Sequence, residues 1–386
     1  MTMIRMVGLA ACLAATPIFA LEQGEYRFNG FGTVGFNHLG GEEEGTGFGV
    51  EGQTKTSWRG DELSKLGGQS SYGITDDLSA TLQVLARAKH DSWEVMPEWA
   101  YLAYQANDNL TLRAGRMGTN FYMYSETLNV GFTYPWLSLP TEVYGQVQLT
   151  NAEGVDLIYS HTTPYGQLVF QAAAGQAKNR DLYLYDTMQD FDYEDRMSAS
   201  LQLATNRFGD FRIGYSEANV TLEASEPVTV FTGTGFGPGT VDVSSDGLKG
   251  KYTSIGHRFD NGTYLTSSEI TKLVIENDGS KEALAYYVMG GRRFGDYLGH
   301  LTFAERKSGG LSQDSWTVGM NYSLLPNATL KGEYKRVSAD AGYGSFDNSF
   351  QDIYDAGLHQ ATGGALGQPL EKRDADIVSV GIDFVF

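Results

Sequence analysis

Apolar and polar side chains alternate with a period of two over much of this chain, which is the mark of strands with two chemically different faces. The last residues show it most cleanly: Val378, Val380, Ile382, Phe384 and Phe386 fall on one face, and Ser379, Gly381, Asp383 and Val385 on the other. Further upstream, Trp316, Val318, Met320, Tyr322 and Leu324 oppose Ser315, Thr317, Gly319, Asn321 and Ser323. The runs from Leu168 to Ala174 and from Met197 to Leu203 read the same way. Runs of this kind approach the roughly 9–11 residues that a tilted strand needs to cross a bilayer.

Turn chemistry divides the strands. Clusters of Asn, Asp, Gly and Pro, which accept turn dihedrals, mark tight connections at 75–77, 106–109, 163–166, 206–210, 260–262, 294–296 and 326–327. Longer polar segments lie between them at 40–54, 117–151, 177–194, 223–247 and 339–373. The alternation predicts an all-β fold: a transmembrane antiparallel β-barrel of about sixteen strands, with short periplasmic turns and long extracellular loops. Untidy parity around Tyr252–Phe259 and Tyr264–Glu276 leaves fourteen or eighteen strands open. Closure follows from physics, because an open sheet edge does not survive in lipid. The alternative, a water-soluble two-sheet protein, hides its apolar strand faces and rarely repeats so uniformly.

Three stretches resemble the Gram-negative general porin superfamily of trimeric, sixteen-stranded outer-membrane barrels. Ser64-Lys65-Leu66-Gly67 through Asp76-Asp77-Leu78 to Ala80-Thr81-Leu82-Gln83 is similar to that family's second hairpin. Leu112-Arg113-Ala114-Gly115-Arg116, followed by a long Tyr-rich segment, resembles the strand entering its inward-folded third loop. The terminal strand, with Val378, Val380, Ile382, Phe384 and Phe386, resembles the signal read by the barrel-assembly machinery. The third loop departs from the family pattern, reading Tyr122-Met123-Tyr124-Ser125-Glu126 in place of an acidic Pro-Glu-Phe-Gly-Gly segment. The resemblance implies a bacterial outer-membrane location and a likeness to homotrimers. It also implies contact with outer-membrane lipid and lipopolysaccharide, and passive diffusion of small hydrophilic solutes and ions. A substrate-selective uptake channel, a barrel enzyme and a structural or adhesive barrel are the rival readings.

Candidate pore residues follow from parity. On 79–89, Ala80, Leu82, Val84, Ala86 and Ala88 point outward, and Thr81, Gln83, Leu85, Arg87 and Lys89 inward. Arg113 falls inward on the next strand but one. Arg116 falls outward by strict alternation and is expected inward only if Gly115 bulges, as the family comparison favours. Segment 117–151 exceeds the roughly 12–15 residues of a plain connection and carries Phe121, Tyr122, Tyr124, Phe132, Tyr134, Trp136 and Tyr144. So apolar a loop is expected to fold into the barrel. Tyr122, Tyr124, Glu126 and Glu142 would then join Arg87, Lys89, Arg113 and Arg116 at a constriction.

Composition narrows the function classes. Among 386 residues, 47 acidic against 28 basic side chains give a net charge of −19, which repels phosphate backbones and argues against a nucleic-acid partner. Residues 1–20 read as a signal peptide: Arg5 supplies the positive flank, Met6 to Phe19 the apolar stretch, and cleavage is expected between Ala20 and Leu21. Cys12, the sole cysteine, also allows a lipoprotein reading; otherwise it leaves with that segment, and residues 21–386 form the barrel. The six histidines show no HExxH and no i,i+4 metal pair. No metal, cofactor or catalytic residue is predicted. Gly233 to Gly239 lacks the Lys-Ser/Thr ending of a phosphate loop, and Glu42-Glu43-Glu44 reads as a solvated acidic loop.

Overall fold

Alternating side chains pay the cost of strand formation only when each face meets the medium that suits it, and a closed wall between lipid and water provides both. In the computed structural model the strands run β1 (Tyr26–Gly40), β2 (Lys65–Gly73), β3 (Leu78–Lys89), β4 (Ser92–Asn107), β5 (Leu110–Gly118), β6 (Asn151–Thr163), β7 (Gly166–Leu184), β8 (Thr187–Thr205) and β9 (Gly209–Glu223). They continue as β10 (Val228–Val230), β11 (Gly239–Val241), β12 (Ser245–Asp260), β13 (Tyr264–Glu276), β14 (Lys281–Phe294), β15 (Tyr297–Ser308), β16 (Leu311–Leu325), β17 (Ala328–Ala339) and β18 (Arg373–Val385). The structure describes residues 21–40, 57–89, 92–184, 187–223, 228–230, 239–241, 244–276, 281–340, 358–365, 367 and 373–386. The signal segment, the acidic run at 42–44 and residues 233–238 of the glycine-rich run lie outside them.

All strands but β10 and β11 form one closed antiparallel barrel of sixteen, in chain order, with β1 pairing β18; β10 and β11 make a separate two-stranded ribbon. All seven expected tight turns fall between consecutive barrel strands. The two segments of untidy parity are ordinary strands, β12 and β13, paired over their lengths.

The two faces separate as alternation demands. On β14 to β16, Val288, Leu301, Val318 and Met320 are exposed on the outside, while Thr302, Ser315, Thr317 and Asn321 are buried on the lumen side. Exposed aromatics gather beside the tight turns: Tyr72, Tyr104, Phe208, Tyr264, Phe294 and Tyr297. A second group, Tyr286, Phe303 and Trp316, packs on the outer wall nearer the long loops. The eight residue steps from Phe294 to Tyr286, tilted as barrel strands are, span about 20 Å, close to the apolar band of such proteins. Beyond that band the outer face turns ionic, with Lys272 to Glu282 at 2.8 Å, Lys307 to Glu305 at 3.0 Å and Arg336 to Asp376 at 3.0 Å.

The seam is built from glycine and phenylalanine. Phe31 pairs with Val385 and Gly32 with Phe384, and the rings of Phe386 and Phe384 lie over Gly30 and Gly32. A Cβ on Gly30 would come within 2.2 Å of the Phe386 ring. The terminal aromatics therefore occupy space that only glycine leaves free.

One expectation about register fails. Gly115 has φ +136°, yet the ladder passes it without a shift: Arg113 pairs with Asp156, Gly115 with Gly154 and Arg116 with Glu153. What Gly115 provides is close approach, since a Cβ there would meet the Ala100 carbonyl at 2.3 Å. Nearby irregularities lie instead where Gln83/Val84 oppose Trp99/Pro97 and between Gln105 and Asn107. Pro97, which cannot donate to a ladder, sits at the first of these, as proline in sheets does.

Candidate functional site

Between β5 and β6 the chain turns into the lumen. Residues 119–150 carry two short 3-10 turns, Ser125–Thr127 and Gly131–Thr133, and a four-residue helix α1 (Thr141–Tyr144). Their aromatic side chains find apolar cover on the far wall. Tyr122, Tyr124, Trp136 and Val143 are buried with Tyr252, Leu265, Tyr287, Met289 and Ala304. Trp136 meets Tyr287 edge-on at 5.5 Å and donates from Nε1 to Thr302 at 2.8 Å. On the opposite side, Val130 and Phe132 pack with Phe31, Leu85 and Val385.

A backbone without regular structure, buried in a barrel, needs partners for its polar groups, and wall side chains supply them. Lys331 on β17 donates from Nζ to the carbonyls of Gly131, Tyr134 and Trp136 at 2.8, 2.6 and 2.9 Å. It also pairs with Asp383 on β18 at 2.6 Å. Glu333 accepts from the Leu137 N–H at 2.9 Å. Glu269 accepts from the Met123 N–H and the Tyr144 hydroxyl, both at 2.9 Å. Asn321 donates to the Pro135 carbonyl at 2.8 Å. Small cavities lie beside the loop, about 10 Å3 lined by Gln83, Glu98 and Asn129 and about 30 Å3 lined by Trp136, Thr141 and Lys335.

The predicted constriction residues do not converge on one ring. Arg87 stands on the lumen face of β3, between Lys65 and Glu94 in the ladder. Arg113 also faces inward, where it donates from Nε to Asp156 at 2.9 Å, with its guanidinium 5.1 Å from the Tyr101 ring centre. Glu126 is exposed on the loop's free edge, near enough to act electrostatically on Arg113. Lys89 lies in β3, but its side chain is outside the described residues.

Four placements differ from expectation. Arg116 points outward, since the unbroken register keeps it opposite in parity to Arg113; it donates to Glu153 at 2.7 Å and to the Pro97 carbonyl at 3.1 Å. Arg180 joins the same Glu153 at 2.8 Å. Tyr122 and Tyr124 are buried anchors, 3% and 2% exposed, because aromatic rings at the loop's root gain more from the far wall than from water. Burial pushes both phenols up. Glu142 turns away from the arginines of β3 and β5. It is buried, accepts from Gln313 at 3.1 Å and lies 3.6 Å from Lys335. Burial alone would raise its carboxyl, but Lys335 and the hydrogen bonds it receives hold it below the usual range.

Sequence reasoning missed Arg196, Arg212, Glu269, Lys331, Glu333 and Lys335. A signal was present: in Phe211-Arg212-Ile213 and Leu330-Lys331-Gly332-Glu333-Tyr334 each charge occupies an inward position between outward apolar residues. Parity applied to every strand would have placed them on the lumen wall.

A closed sixteen-strand barrel with an apolar outer band and a loop seated in its lumen has the fold of bacterial outer-membrane porins. Neither protein-family profiles nor curated sequences give a match to the chain. Solved structures do. OmpT of Vibrio cholerae, expressed in the outer membrane, is similar at TM-score 0.59 and 12% identity, covering 95% of this chain and 99% of that one. The outer-membrane channel DcaP of Acinetobacter baumannii gives 0.57 at 14% identity, over 94% and 98%. The anion-selective porin of Comamonas acidovorans gives 0.56 at 13% identity, over 94% and 100%. At these identities the likeness is one of fold: the chain is an outer-membrane barrel.

Proposed function

We propose that this protein is a non-enzymatic diffusion channel that passes small hydrophilic solutes and ions across the outer membrane. The observation that carries the reading is the loop 119–150, held inside the lumen by wall donors and acceptors while its Glu126 edge stays exposed toward Arg113. A loop so fastened narrows a water-filled barrel at a fixed level and gives the narrowing a charge pattern. Arg87, Lys89, Arg113 and Glu126 are the residues read as facing the passage. Tyr122, Tyr124 and Glu142 shape it from behind, while Arg116 lies on the outer wall.

The active form is read as a homotrimer, supported by the outward ion cluster of Arg116, Glu153 and Arg180, which suits a protein neighbour better than hydrocarbon. One OmpT structure similar to this chain is described as a trimer form. The barrel-assembly machinery, reading the terminal strand, and lipopolysaccharide around the ionic outer collar complete the partners.

Planar-bilayer recordings with purified protein and a panel of solutes test the reading. Steady conductance with rates falling smoothly as solute size grows is the expected result. Well-folded barrels that pass no current would overturn it. Saturable block by one solute class would move the assignment to a substrate-selective uptake channel.

A further inference from the structure

Strand β4 carries an extra residue where it meets the loop. Gln83 pairs with Trp99 and Val84 with Pro97, so the ladder from β3 passes over Glu98. A bulge of this kind re-aims a side chain, and here it sends a carboxylate under the loop. Glu98 is 1% exposed. Its Oε1 accepts from the Asn129 amide at 3.3 Å, while its Oε2 is buried with no donor among the described residues. A buried carboxylate answered by one neutral amide is costly.

Glu98 lines the cavity of about 10 Å3 between β4 and the loop. That volume is about one water-sized sphere, room for a single ion. The rest of the lining is rich in oxygen, with the Glu126 carboxylate, the Gln83 amide and the Ser125 hydroxyl beside it. Gln83 donates from Nε2 to Gln69 at 3.0 Å, which leaves its Oε1 open to a ligand. Glu126 lies on the exposed edge of the loop, so an ion reaches the cavity from water past that carboxylate. Arg113, within electrostatic range of Glu126, is already held by Asp156.

We propose that Glu98, Glu126 and Gln83 form a calcium site that ties the loop to β4. Hard oxygen donors of mixed kind, two of them anionic, suit calcium. Magnesium keeps several of its own waters, and a cavity of this size has no place for them. A single water could donate to Glu98 Oε2 but would leave both carboxylate charges unanswered. The ion does on the β4 side what the Lys331 ammonium does on the β17 side, drawing loop and wall oxygens to one positive centre. The site stands apart from the channel reading.

Terbium in place of calcium tests it, because Trp99 lines the same cavity and can pass its excitation to the bound ion. With the full barrel in detergent, tryptophan excitation should give saturable terbium emission that calcium displaces at lower concentration than magnesium. The unfolding temperature should rise saturably with calcium over a chelator control at matched ionic strength. Glu98→Gln should abolish both effects, and Glu126→Gln should weaken half-saturation at least about tenfold, the scale set by losing one charged ligand. Trp99→Phe should dim the emission while leaving the calcium effect on unfolding. Glu282→Gln, altered on the outer collar, should behave as the natural protein. If Glu98→Gln does not fold, Glu126→Gln, changed on an exposed edge, carries the comparison. Emission that survives both carboxylate changes, or no saturable calcium effect on unfolding, overturns the site. Displacement by magnesium as readily as by calcium overturns the choice of ion. A barrel that binds calcium through Glu98 but passes no current keeps the site and refutes the channel.

Discussion

Lys331 illustrates how much can hang on one side chain. It is 2% exposed, and its ammonium answers three loop carbonyls and Asp383 at once. Lys331→Met keeps the volume but leaves Asp383 buried without its cation, a loss of about 3–5 kcal/mol. The loop should loosen with it, so the expected outcome is a lower unfolding temperature and a larger, noisier single-channel conductance. Adding Asp383→Asn should recover part of the stability but not the conductance. Glu62 makes a second residue-scale case, in the extracellular segment before β2. Burial is the main cause that pushes its carboxyl up to about 7, against the Asn37 amide and Arg59, with Asp61 adding to the rise. The folded state thus favours the protonated form. Below pH about 4.5 both folded and unfolded chains are protonated there, and the group contributes no pH dependence. Between that value and about 7 the unfolded chain ionises first, so stability should fall as pH rises. Glu62→Gln should flatten that part of the melting profile, and an unchanged profile would show that the group is not buried in solution.

At the scale of elements, the strand pattern was legible and the loop's seat was not. The period of two on β16 and β18 assigns faces that the structure keeps: Trp316, Val318, Met320, Val378 and Val380 outside, Ser315, Thr317, Ser379 and Asp383 inside. Turn residues located the tight connections because their dihedral demands are local. The aromatic content of 117–151 foretold burial, but not which rings turn to the wall, because that depends on Tyr252 and Tyr287, more than a hundred residues away. Arg116 was misplaced for a related reason: a glycine can serve a bulge or a close approach, and only the neighbouring carbonyl of Ala100 decides. The seam is the element where a substitution should matter most. Gly30→Val places a branched side chain where the Phe386 ring lies, so the yield of heat-modifiable barrel should drop severely. Deleting Phe386 should lower it too, and the double change should recover more barrel than Gly30→Val alone if overlap is the cause. No recovery would mean that Phe386 acts through recognition during assembly.

For the whole molecule, charge selectivity sets a few lumen groups against a large external surplus. The chain carries a net −19, with acids concentrated in the long connections, whereas Arg87 and Arg113 stand on the inner wall. Loop charges act through water and are screened beyond about 10 Å at 0.1 M salt, while groups beside a narrow passage act at short range. Selectivity should therefore be weak at moderate salt, with a cation preference that grows as salt is lowered. Reversal potentials at two ionic strengths measure this. Arg113→Ala should shift the channel toward cations, whereas Arg116→Ala, lying on the outer wall, should leave selectivity unchanged. Equal effects from both would mean that the register of β5 differs from the one described.

The fastening of the loop also says something about time. Lys331, Glu333 and Lys335 stand on β17 and Asp383 on β18, so the side chains that seat residues 131–142 are among the last to leave the ribosome. A nascent sheet that has reached β16 already offers the loop Thr302 and Asn321, but lacks the ammonium that gathers the Gly131, Tyr134 and Trp136 carbonyls. The loop is therefore fully fastened only once β17 and β18 have joined the sheet. A barrel arrested before those strands dock should hold its loop loosely, and late arrest of assembly should register as a leak in the membrane.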